Sequence, residues 1–207
     1  MTYLMEHPLR VAALFAQHLA LVTSALLLAS IIAIPLGIIA IRNARMASFI
    51  LGTLTILYTV PSLALFAVLV RFLGLGFLPA VIALAAYAQI FLARAIIVSH
   101  DNITMAIHET ARAMGMSERQ RFLRIEFPLA LPVFIAGVRV AVVASISLAT
   151  LAGYVSAGGM GELIFSGLAL RNMQMTIAGA LPVALLAILA DVALRYCERV
   201  AVLRTHQ

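Results

Sequence analysis

Lysine and tryptophan are missing from the 207 residues, cysteine occurs once, and only 11% of positions are charged. Soluble domains carry about 25% charged residues. That deficit, beside a hydrophobic share of 64%, excludes an ordinary soluble fold. A single cysteine, Cys197, excludes an internal disulfide and a cysteine-rich metal centre. Without lysine there is no Gly-x-x-x-x-Gly-Lys-[Ser/Thr] phosphate loop, and neither a Gly-x-Ser-x-Gly elbow nor a His-Glu-x-x-His zinc helix occurs. His100 and His108 stand eight apart with no cysteine or third histidine to match. No enzyme site is legible, and neither a metal nor another cofactor is expected in this chain.

What the chain has is oil in long runs, with a mean hydropathy of +1.12. A membrane helix needs about 20 apolar residues. Charges punctuate the runs, and their spacing predicts an all-α integral membrane protein with five transmembrane helices. The spans fall at about 19–41, 46–70, 72–93, 129–152 and 176–196. Residues 1–18 read as an interfacial lead-in, because the polar residues Gln17-His18 and Thr23-Ser24 set the first span near Leu19. Residues 200–207 read as a tail. Glu6 and His7 stand where a signal peptide would be basic, and no small-residue cleavage site follows, so the first span is expected to stay in the protein.

Five spans put the termini on opposite sides. With the N-terminus outside, the inner side carries ten arginines, at positions 42, 45, 94, 112, 119, 121, 124, 195, 199 and 204. The outer side then carries three, Arg10, Arg71 and Arg171. That bias predicts an N-out, C-in orientation. The arginines are scattered between apolar runs, so the net charge of +6 implies a bilayer and not nucleic acid as partner.

Several spans contain helix breakers: Pro35 with Gly37, Pro61, Pro79 and Pro182. Lipid tolerates these where neighbours re-satisfy the freed carbonyls. Plain kinking and the lining of a cavity both remain open. Tyr58, Thr59 and Ser62 put polar groups beside Pro61 and make Tyr58, Pro61 and Ser62 candidates for a pathway. A charge in hydrocarbon costs at least about 2.5 kcal/mol, so Arg139 and Asp191 are expected to form a structural ion pair between spans four and five. The alternative is that each snorkels to the interface. In the outer loop, Gly158-Gly159-Met160-Gly161 reads as a permissive hinge. It belongs either to a surface loop or to a re-entrant piece closing an outer mouth, with Gly158, Gly159 and Gly161 as candidate gate residues.

The longest polar stretch is 105–128. Helix-favouring residues run from Met105 to Gly115, where the glycine is placed as a stop. Ser117 followed by Gln120 reads as a capping box, opening a second helix expected to end at Pro128. Two helices about a glycine turn make a knob, with Met105, Met114, Met116 and Phe122 as adaptable packing for a partner groove. The alternative is a loop lying on lipid.

Within that stretch, Glu109-x-Ala111-x-x-x-Gly115, nine residues, then Ile125-x-Phe127-Pro128 resembles the cytoplasmic-loop signature of importer permeases of the ATP-binding-cassette (ABC) class. That signature is Glu-Ala-Ala, three residues, Gly, nine residues, Ile-x-Leu-Pro; Thr110 replaces an alanine and Phe127 a leucine. The likeness runs from about Leu19 to Arg199. Pro61-Ser62-Leu63-Ala64, Gly158 to Gly161 with Ile164-Phe165, and Gly179-Ala180-x-Pro182 through Asp191 look like the short permeases that import glycine betaine, carnitine, choline or related quaternary amines.

The resemblance implies a type I ABC importer permease fold over 19–199, with 105–128 as its coupling loop. It implies that Glu109, Ala111, Gly115, Met116, Ile125 and Pro128 form the surface that docks on a separate ATPase. The partners implied are two ATPase subunits, which would bind ATP and Mg, and a periplasmic or lipid-anchored substrate-binding protein. A second permease is implied as well, either another copy in a homodimer or a similar chain in a heterodimer. The location implied is a bacterial inner membrane. Quaternary ammonium groups favour aromatic faces; Tyr58, Phe66, Tyr87 and Phe91 could supply them, with the selective cage expected in the external binding protein. A permease for methionine or another amino acid, and a non-ABC channel or scaffold, are the competing readings.

The orientation has a direct test. Green fluorescent protein fused after Gln207 is expected to fluoresce and alkaline phosphatase there to be inactive; the reverse pattern would invert the topology.

Overall fold

The computed structural model describes residues 2–103 and 105–205, and among these every regular element is helical. A short α1 (Thr2–Glu6) leads into α2 (Pro8–Arg42). Pro8 opens α2 in the first turn, where its missing N–H has no helical partner to lose. Then come α3 (Ala44–Thr59), α4 (Ser62–Leu73), α5 (Phe77–Asp101), α6 (Met105–Ala113), α7 (Glu118–Arg121), α8 (Phe127–Leu148), α9 (Met160–Ala169) and α10 (Met173–Thr205). A π turn, Phe122–Glu126, joins α7 to α8, and a 3-10 run, Ala149–Val155, prolongs α8, so 118–155 is one continuous helical rod. Four helical stretches are long and apolar enough to cross a membrane, or five if the bent pair α3–α4 counts as one.

α5 is the centre. Two-thirds of its apolar window is buried (67%), against 17–28% for the other three long stretches. α2 meets it through residues spaced by four: Ala25, Ala29, Ala33 and Gly37 are all buried. Ala85, Ala88 and Leu92 of α5 pack with Ala29 and Ala33. A side chain at Gly37 would press on Ile96, with a Cβ only 2.7 Å from its Cγ2. In lipid there is no hydrophobic drive between helices, and close backbone approach at small residues takes its place. Gln89, buried on α5, adds a hydrogen bond from Nε2 to the Ala29 carbonyl at 3.1 Å. α10 packs on α9 by the same device: a Cβ on Gly179 would lie 2.9 Å from the Ile164 nitrogen.

Several boundaries differ from the sequence expectation, each for a physical reason. Within segment 1–18, α1 covers Thr2–Glu6, and α2 runs on from Pro8 past Leu19 without a break. Gln17 and His18 find partners within the protein. His18 is fully buried and its Nε2 donates to the Ile146 carbonyl at 3.1 Å, while Gln17 Oε1 accepts from Gly159 N–H at 3.2 Å. The stretch 46–70 is two helices meeting at 89°. The third span starts at Phe77 and not at 72, because Gly74 and Gly76 turn the chain at φ +77 and +120. Pro128 does not stop its helix. It lies in the first turn of α8, and the π turn before it absorbs the lost hydrogen bond. Pro35 and Pro182 sit inside unbroken helices, and Pro79 in the first turn of α5.

At the end opposite the arginine-rich one, Gly76 N–H donates to the Val155 carbonyl at 3.0 Å, and Arg10 Nη2 meets Glu162 Oε1 at 3.1 Å. The 158–161 segment is a packed joint, with Gly159, Met160 and Gly161 buried. Gly158 and Gly159 take φ +78, which favours glycine. A Cβ on Gly161 would overlap the Thr150 carbonyl. Gly161→Ala is therefore expected to lower the thermal stability of the detergent-purified protein by about 1–3 kcal/mol or more. Gly52→Ala, which meets nothing within 4 Å, is expected to leave it unchanged or raise it. Equal melting of the two variants would refute the close crossing.

Candidate functional site: a knob on the arginine-rich end and a broken span

Residues 105–126 build the knob. α6 ends in a paired turn: Gly115 N–H donates to the Arg112 carbonyl at 2.9 Å and Met116 N–H to the Ala111 carbonyl at 3.2 Å. Gly115 holds φ +71, so this left-handed position suits glycine. One residue on, Ser117 Oγ accepts from Gln120 N–H at 3.3 Å while Gln120 Oε1 accepts from Ser117 N–H at 2.9 Å. The capping box read from sequence is thus in place. Two interlocked turns leave the knob little freedom between α6 and α7.

Ala111 faces inward and is buried, whereas Glu109, Arg112, Ala113 and Met114 face solvent. A shallow hollow of about 250 Å³ is lined by Ala106, Ile107, Thr110, Ala111, Met114 and Ile125, so both halves of the signature meet there. Met116 is half-buried behind the turn. Phe122, Leu123 and Phe127 are exposed along the adjoining π turn. Arg121 Nε donates to Glu126 Oε1 at 2.7 Å and clamps that turn. The side chains of Met105 and His108 lie outside the described residues.

The second group surrounds Pro61. Between Thr59 and Ser62 the helix breaks, and Val60, freed of an intrahelical partner on its carbonyl side, accepts a hydrogen bond from the Tyr87 hydroxyl at 2.5 Å. Tyr58 stands edge-on to Tyr87 and Phe91, with ring centroids 5.7 and 5.3 Å away. Pro61 caps α4 and Ser62 begins it. Gly158, Gly159 and Gly161 do not join this elbow: the elbow bonds to α5, the glycine joint to α2.

Arg139 and Asp191 are brought together, with Nη1 3.4 Å from Oδ1. The cluster is larger than a pair. Arg139 Nη2 lies 3.6 Å from Glu198 Oε2, and Arg195 Nη2 lies 2.8 Å from Asp191 Oδ2. Glu198 was legible: seven residues beyond Asp191 is two turns, hence the same helix face. Tyr87 as a cap for a broken helix carried no local signal. Among the described residues, no group of three or more His, Cys, Asp or Glu side chains is placed to hold a metal.

Residues 33–201 match the family described as binding-protein-dependent transport system inner membrane component, and the chain belongs to that family. Among curated relatives, the carnitine transport permease protein OpuCB of Listeria monocytogenes is 40% identical over 182 residues, covering 88% of this chain and 84% of that protein. The osmoprotectant import permease protein OsmW of Salmonella typhimurium is 38% identical over 194 residues, covering 91% and 90%. The choline transport system permease protein OpuBB of Bacillus subtilis is 35% identical over 183 residues, covering 88% and 84%. Among solved structures, an inward-facing MetNI methionine ABC transporter chain superposes with a TM-score of 0.82 at 20% identity, over 94% of this chain and 98% of that one. At that identity the match speaks for the fold. The architecture is that of a multi-pass type I ABC permease, as the loop signature implied.

Tyr87→Phe removes the donor that satisfies the Val60 carbonyl. It is expected to destabilise the protein by about 1–3 kcal/mol, read as a lower melting temperature in detergent; an unchanged melting temperature would show that the broken turn does not depend on Tyr87.

Proposed function

We propose that this chain is the membrane-spanning permease subunit of an ATP-driven, binding-protein-dependent importer of osmoprotectants, quaternary amines such as glycine betaine, carnitine or choline. The observation that carries the reading is identity of 35–40% over nearly the whole chain to permeases named for carnitine, osmoprotectants and choline. The chain itself moves no phosphate; ATP and Mg belong to two partner ATPase subunits, and an external binding protein delivers the solute. A second permease chain faces this one across the pathway, in the inner membrane of a bacterium, with the arginine-rich end inward.

The knob is the proposed point of coupling. Ala111 and Ile125 hold it against the π turn, Glu109 and Met114 face outward for an ATPase groove, and the rod from Glu118 carries its motion into the spans. Closure of the ATPase pair on ATP then tilts rigid helices instead of bending a loop. Methionine import is the second reading, and the MetNI likeness favours it only at the level of architecture. Reconstituted complex with its ATPase and binding protein separates the two: import of glycine betaine, carnitine or choline supports the first, import of methionine alone replaces it.

Gly115 tests the coupling role. A β-branched side chain in the left-handed region costs about 1–2 kcal/mol and loosens the interlocked turns. Gly115→Val is expected to reach the membrane but lose about tenfold in transport and in ATPase stimulation, since a displaced knob breaks docking. Gly115→Asn, which tolerates that backbone, is expected to keep most of both. Wild-type transport by Gly115→Val would remove the knob from the mechanism.

A further inference from the structure

We propose that the Tyr58 ring and the exposed face of α3 beside it form a transit site for quaternary ammonium head groups within the membrane, the facing permease chain supplying the opposite wall. This rests on the osmoprotectant reading above and adds to it where the solute is held on its way through.

Four observations converge on the elbow. Tyr58 is 43% exposed although it lies in an apolar span, and its ring is propped on edge by Tyr87 at 79° and Phe91 at 83°. Those props sit one helical turn apart on α5, the most buried helix, so the ring is held by the rigid centre of the fold. Phe66, the other aromatic candidate in span two, is fully buried and presents no face.

The neighbouring surface of α3 carries a polar stripe, with Phe49 and Ile56 exposed beside it. Arg45, Ser48, Gly52, Thr55 and Thr59 are spaced by three and four, so they share one face, and all are exposed. Ile50 and Leu54, buried, hold the opposite face. Ionisable positions inside a membrane protein turn toward partners or water, and Arg45 is the one on this stripe. On the proposal the stripe looks into the assembly.

The two threonine hydroxyls on it are spent as donors. Thr55 donates to the Leu51 carbonyl at 2.7 Å and Thr59 to the Ile56 carbonyl at 2.7 Å. Their oxygens keep acceptor capacity alone toward the open side. Beside Tyr58 such acceptors suit N-methyl groups, whose C–H bonds carry the ammonium charge, while Arg45 is the cation at the far end of the same face. No acidic residue occurs between Glu6 and Asp101. A cation passing here meets an aromatic face and hydroxyl oxygens, with no carboxylate to trap it, and cation–π attraction is strong where water is thin. The depth fits as well. Tyr87, the partner of Tyr58, is 14 residues from Asp101 at the inner end of α5, which is about 21 Å along the helix axis.

The test uses the reconstituted complex with its ATPase and binding protein, and radiolabelled choline as probe. Tyr58→Phe is expected to keep transport, because the face remains. Mono-, di- and trifluorophenylalanine at position 58 keep the ring shape while draining its negative face, and choline moved per ATP hydrolysed is expected to fall stepwise, about fivefold across the series. Tyr58→Leu is expected to fall at least as far. A flat fluorination series in a complex that imports choline normally overturns the site and leaves the importer reading standing. Failure of the wild-type complex to import choline, glycine betaine or carnitine overturns the importer reading first, and the site's ligand with it.

Discussion

In a hydrocarbon medium, one apolar face gains nothing by leaving lipid for another. Everything in this fold depends on how closely backbones approach where side chains are small. Ala25, Ala29, Ala33 and Gly37 let α2 lie against α5, and the glycines at 161 and 179 seat α9 between the 3-10 run and α10. Once α2 and α5 are locked, α8 has a surface to pack on and the polar groups find partners. His18 reaches the Ile146 carbonyl and Gln89 the Ala29 carbonyl only because the helices are that near.

The same constraint explains why irregular backbone is confined to a few places. A carbonyl released inside a membrane must be re-satisfied. At Val60 the Tyr87 hydroxyl does so, and the chain can turn through 89°. At Phe122–Glu126 the chain stays helical by widening to a π turn, with Arg121 and Glu126 clasped across it. One device breaks a helix and exposes a polar face; the other keeps a rod whole past a proline. The elbow and the knob, where solute and partner act in the proposed function, are these two solutions.

Much of this was legible in the residues. Apolar runs disclose the membrane class and four to five spans. The spacing from Glu109 to Pro128 discloses the family, and Gly115, Ser117 and Gln120 disclose the turn, because capping chemistry is local. The Arg139–Asp191 contact was legible because a charge in oil needs a partner. Helix boundaries were less so. Gln17 and His18 look like an interface marker until the carbonyl of a residue 128 positions away accepts from the imidazole. Pro128 looks like a stop until the π turn before it is seen. The small-residue spacing on α2 was present to be read, but its partner on α5 is fixed by tertiary packing.

The unbroken rod from Glu118 to Val155 spans 38 residues, about 57 Å of helix. It begins within the knob and ends against the Gly76 amide at the opposite end of the bundle. Such a member is a lever with its fulcrum in the alanine-lined centre. A tilt of roughly 10° about that centre moves each tip through about 5 Å by the same rise per residue, so a modest displacement at the knob end is enough to shift the far end without any helix melting.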